Sequence, residues 1–170
     1  MFSVDVSPAR DSASIGLASL REDDKIHVEA IDNRVGTSWV GHRLAELSKW
    51  GPAAIVVVAG SNAESLIPGW KREGLRVKLI RFPEYTQACG VLYDAIMQRQ
   101  IVHLDDPVLN GALEGARQRW RADGSTWYWD RKSDADITPL VAVTVAMAGL
   151  EKKRPKRVAA GHTTRKALVL

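Results

Sequence analysis

The sequence predicts an α/β domain with a mixed central sheet, three antiparallel strands followed by parallel strands, flanked by helices. Two observations predict it. Three consecutive segments near the N-terminus alternate apolar and polar residues with period two and are joined by short turns, the pattern of an antiparallel meander. From residue 37 onward the period changes, and helical patterns alternate with short apolar runs that suit central strands covered on both faces.

The first strand is set by Phe2, Val4 and Val6 alternating with Ser3, Asp5 and Ser7. SASIGLASL (12–20) and KIHVEAID (25–32) repeat the alternation on either side of the charged turn REDDK. TSWVGHRLAELSKW (37–50) places Val40, Leu44 and Leu47 on one helical face, with Thr37 or Ser38 as N-cap. AAIVVVA (53–59) reads as a buried strand, SNAESLIPGWKREG (61–74) as a short helix or turn interrupted by Pro68, and LRVKLIRF (75–82) as another strand. YTQACGVLYDAIMQRQ (85–100) and PVLNGALEGARQRW (107–120) carry apolar residues at helical spacing, the second with Pro107 in its first turn. In RADGSTWYWDRK (121–132) the Asp-Gly pair and Trp-Tyr-Trp alternation suit a turn and hairpin arm. A last helix starts near Thr138, with Pro139 at its first position and Leu140, Val141, Val145 and Ala148 as a buried stripe.

With 170 residues, 45% of them apolar, the chain suits one domain with a sizeable core. No apolar run reaches the 18 or more residues of a membrane span, and no basic stretch with an apolar signal core opens the chain. The expectation is a cytoplasmic protein with no membrane partner. The lone Cys89 excludes an internal disulfide and a cysteine-rich zinc site. Charge divides the chain: residues 151–170 hold seven lysines and arginines against Glu151, whereas residues 1–150 hold 17 basic and 19 acidic residues. We therefore expect a domain over 1–150 and a flexible basic tail over 151–170, of the kind that meets nucleic acid.

Asp5 is the residue that the strand pattern does not explain, because aspartate is disfavoured in strands. A wet edge strand would account for it. KSDADITP (132–139) supplies two further carboxylates, Asp134 and Asp136, at the mouth of the last helix, where the helix dipole favours negative charge.

Three antiparallel strands, then helix, strand, helix, strand and terminal helices is the element order of the ribonuclease H-like fold. VDVSPAR, GPAAIVVVAGSNAESLIP, QACGVLYDAI with IVHLDDPVLNGAL, and WYWDRKSDADITPLVAVTVA run in an order, across residues 2 to 148, that resembles the C-terminal nuclease domain of tailed-phage terminase large subunits. The resemblance implies a metal-dependent endonuclease that cuts double-stranded viral DNA during packaging in the host cytoplasm. Its two Mg²⁺ or Mn²⁺ ions would be held by Asp5, Asp136, Asp134 and Glu64, with Asp5 and Asp136 central to catalysis. Arg131 and Lys132 would contact phosphate beside these acids, and Lys152, Lys153 and Arg154 would add DNA affinity from the tail. No G-x-x-x-x-G-K-[ST] loop is present, so the ATPase motor would lie on a preceding segment or another chain, with the small subunit and portal as further partners.

At one point the resemblance fails. The family's second acid lies where the fourth strand ends, and here that position is Val58 or Ala59. Either Glu64 reaches back into the site or the second metal site is weakened. A Holliday-junction resolvase-like nuclease and a catalytically weakened DNA-holding module are the alternative readings.

Overall fold

The computed structural model describes residues 1–132 and 134–153. A six-stranded mixed sheet forms the centre. β1 (Phe2–Val6), β2 (Ser12–Leu20) and β3 (Ile26–Val35) make the antiparallel meander, while β4 (Ile55–Val58) and β5 (Val77–Ile80) add in parallel beyond β1. The far edge is β6 (Ile101–Val102), parallel to β3, so the spatial order is β5-β4-β1-β2-β3-β6. Val77–Ile80 and Ile101–Val102 are the two edges, and β1 lies in the interior between β2 and β4.

Helices cover both faces. On one, α1 (Val40–Ser48) and α2 (Ile67–Arg72) pack Val40, Leu44, Leu47, Ile67 and Trp70 against the Phe2, Val4 and Val6 side of β1. On the other lie α3 (Phe82–Met97), α4 (Pro107–Glu114) and α5 (Thr138–Lys153). α5 is buried from Thr138 through Gly149, which explains why its apolar residues run almost without a polar stripe. It crosses β2 at Gly16, where an added Cβ would stand 2.6 Å from the backbone of Ala142 and Val143. Only glycine permits that approach.

This packing disposes of the wet-edge explanation for Asp5. The polar side of β1 faces α5: the Ser3 hydroxyl donates to the Ala142 carbonyl, and Ser3 and Asp5 are both buried. The alternation therefore marks an interior strand with a polar buried face.

Several local expectations change. Neither Thr37 nor Ser38 caps α1; the cap position is Trp39, whose indole donates to the Gly36 carbonyl at 3.0 Å. Pro68 sits in the first turn of α2, after a 3₁₀ turn over Glu64–Leu66, and so starts that helix where interruption was expected. α3 begins at Phe82, three residues before its expected start, because the Glu84 carboxylate accepts from the Arg81 N–H at 2.8 Å and caps the helix start. α4 ends at Glu114, and β7 (Gln118–Trp120), expected to be helical, pairs antiparallel with β8 (Trp127–Trp129). The Asp123-Gly124 turn closes that hairpin, Gly124 taking a φ of 67°. Glu151, Lys152 and Lys153, assigned to the tail, are the last residues of α5. Among the described residues no helix is long and apolar enough to cross a membrane.

Candidate active site

Three elements converge where β1 ends. β1 carries Asp5, the turn after β8 carries Arg131, and the segment entering α5 carries Asp134 and Asp136. Asp5 is 1% exposed. Its Oδ1 accepts a hydrogen bond from Arg131 Nη2, and Arg131 Nη1 donates to the Val6 carbonyl at 3.1 Å. Its Oδ2 is buried with no partner. Burial pushes the Asp5 carboxyl above the usual range, against the pull of the Arg131 guanidinium.

Asp136 is arranged differently. Its Oδ1 accepts from the Thr138 N–H at 2.9 Å, satisfying a donor at the start of α5, and its Oδ2 accepts from Asn33 Nδ2 at 3.0 Å. Asn33 comes from β3 and also donates to Ser14 Oγ at 2.9 Å, while the Ser14 and Thr138 hydroxyls are 2.7 Å apart. Burial alone would raise the Asp136 carboxyl, but the hydrogen bonds from Asn33 and Thr138 outweigh it and bring it below the usual value. Asp5 and Asp136 feel one another's charge, each additional negative charge making the other carboxylate costlier.

Asp136 and Arg131 border an open cavity of about 500 Å³ that Asp11 and Asp134 also line, with Asp5 buried behind it. Asp134 is exposed there. Arg131 also lines a second cavity of about 270 Å³, bounded by Val58, Ala59, Asn62 and Tyr85. The guanidinium thus stands between an acidic half of the site and the end of β4. Tyr85, in that second half, is buried with its hydroxyl unpartnered.

No protein-family model and no curated protein matches the chain. Solved structures do. The large terminase nuclease from thermophilic phage G20c superposes with a TM-score of 0.68 and 15% identity, over 86% of this chain and 80% of that one. The HK97 bacteriophage large terminase gives 0.67 and 16% over 87% of this chain, which spans 38% of that longer protein. The G20c nuclease with bound magnesium gives 0.63 and 13%, over 85% of this chain and 78% of that one. This chain has the ribonuclease H-like fold.

Within this ribonuclease H-like sheet, the residues singled out from sequence separate into groups. Asp5, Asp136, Asp134 and Arg131 are brought together. Arg131, expected on phosphate, is committed to Asp5. Val58 ends β4, 8% exposed, and offers no oxygen; Glu64 turns its carboxylate to the Gly60 N–H and closes the loop after the strand. Lys132 is exposed, its N–H bonded to Asp130. Lys152 pairs with Glu84 at 2.9 Å and Lys153 donates to the Ala53 carbonyl, both at the far end of α5. A 16-residue helix puts them about 22 Å from its first turn. Arg154 lies outside the described residues.

Asn33 and Asp11 are the site residues that the sequence did not single out. Asn33 sits in a strand where polar alternation is ordinary, and nothing local ties it to a residue 103 positions on. Among the described residues, no group of three or more His, Cys, Asp or Glu side chains is gathered closely enough to hold an ion. The unsatisfied oxygen of the site is Asp5 Oδ2, buried and without a partner, while both oxygens of Asp136 accept hydrogen bonds.

Proposed function

We propose that this chain is a metal-dependent endonuclease domain that cuts double-stranded viral DNA during genome packaging. The observation that carries the reading is Asp5: a carboxylate buried on the central strand, one oxygen unsatisfied, close enough to Asp136 for their charges to interact. Proteins bury such a group only when something compensates it, and a divalent cation does so. The fold supports the reading, since terminase nucleases share it and one of them has been solved with magnesium.

One Mg²⁺ or Mn²⁺ would be held by Asp5 and Asp136, with Asp134 at the cavity rim. A second ion would need an oxygen ligand where Val58 stands. Such an ion lowers the pKa of bound water and neutralises charge on the phosphate. The chain's own residues position it: Asn33 and the Thr138 N–H hold Asp136 ionised and oriented, and Lys132 offers an exposed cation to the DNA backbone. The ATPase motor, small subunit and portal would act from other segments or chains in the host cytoplasm, in keeping with the greater length of the HK97 protein. Val58 and the occupied Asp5 also favour a second reading, a weakened domain that holds DNA without cutting it.

Nicking of supercoiled plasmid in Mn²⁺ by two single variants tests the assignment. Asp136→Asn should reduce the rate at least roughly a hundredfold, in the range expected for loss of a group that acts at the reacting centre, while Asp134→Asn should leave most of it. Equal losses would remove Asp136 from its role.

A further inference from the structure

We propose that Arg131 is a built-in competitor of the metal: its guanidinium occupies Asp5 when no ion is bound, and an ion must displace it. The inference rests on the reading of Asp5 as a metal ligand. Three observations carry it. Arg131 spends one terminal nitrogen on Asp5 Oδ1 and the other on the Val6 carbonyl, so it is anchored at two points and is not a stray surface contact. It lines both cavities, the acidic one with Asp134 and Asp136 and the one at the end of β4 with Val58 and Ala59. Asp5 Oδ2 remains buried and unpartnered, so the guanidinium satisfies only half of the carboxylate.

A buried carboxylate needs a positive neighbour, and the third acid that would make the site strongly attractive to a divalent ion is absent at Val58. A monovalent cation on a tether then wins at low metal concentration. Its side chain keeps 28% exposure, so a path toward the open cavity exists. Once released there, it becomes a cation beside Asp134, available to a DNA phosphate.

Titration with Mn²⁺ alone, followed calorimetrically and by thermal unfolding on the full chain, tests this without reference to cleavage. Arg131→Gln should bind Mn²⁺ at least about tenfold more tightly than the parent. It should also melt lower in EDTA and recover on adding Mn²⁺, because the ion replaces the missing counter-charge. Adding Asp5→Asn to Arg131→Gln should erase both gains. Arg131→Lys, whose single ammonium cannot reproduce the two-point anchor, should fall between parent and Gln variant and serves if the latter does not fold. Unchanged Mn²⁺ affinity in the folded Arg131 variants, or a gain that survives the loss of Asp5, overturns the proposal. Metal-dependent nicking by the parent with no tightening would sink the competitor and spare the nuclease reading. Tightening without nicking in any metal would do the reverse.

Discussion

Asp5 and Asp136 illustrate how two neighbouring carboxylates are set apart by their partners. Asp5 is deep and half-satisfied, which holds its carboxyl above the usual range; Asp136 is bonded at both oxygens, which holds its own below. Asn33 is the side chain behind that difference. Asn33→Ala should cost about 1–2 kcal/mol of stability through the lost bond to an ionised group. It should also raise the Asp136 pKa, so the acid limb of Mn²⁺-dependent nicking should move to higher pH. A pH–rate profile identical to the parent's would show that Asn33 does not hold Asp136. The sequence made Asp5, Asp134 and Asp136 legible because an acid in a strand and acids before a helix break local rules. Asn33 and the Asp5–Arg131 pairing broke none, since long-range partners leave no periodic trace.

The elements that hold these residues are α5 and the strands beneath it. α5 lies so close to β2 that Gly16→Ala would force its Cβ into the Ala142–Val143 backbone. The expected loss is about 3 kcal/mol in urea unfolding, at the upper end for overpacking, since backbone cannot rotate away. A second test lies at the end of β4. Val58→Asp would add an oxygen ligand beside Arg131 and should raise nicking at least roughly tenfold, about 1.4 kcal/mol of barrier, while Glu64→Gln in the parent should change little, its carboxylate being spent on Gly60. If Glu64→Gln abolishes activity and Val58→Asp adds none, Glu64 is the missing ligand. Strong period-two and helical patterns made the meander, β4, α1, α3 and α5 readable. What stayed hidden was short or decided by pairing: β6 has two residues, and β7 is fixed by its register with β8 at Arg119 and Tyr128.

Across the whole molecule, basic charge at the end of α5 fastens the domain. Lys152, with help from Arg81, pulls the Glu84 carboxyl down to about 2. A depressed carboxyl contributes stability above its unfolded value, about 4.3, and loses it as pH falls toward 2. Lys152→Gln should therefore lower stability modestly at pH 6 and narrow the parent's lead as pH drops to 2, in urea titrations at each pH. Five further lysines and arginines follow Lys153 in the sequence. Truncation after Lys153 should weaken DNA binding and flatten its salt dependence, since fewer counterions are released; an unchanged slope would assign the affinity elsewhere. Asp5 carries the proposed activity most directly. Conversion of supercoiled to nicked plasmid should occur with Mn²⁺, stop in EDTA, and vanish in an Asp5→Asn variant whose circular dichroism matches the parent. Nicking by that folded variant at the parent's rate would contradict the account.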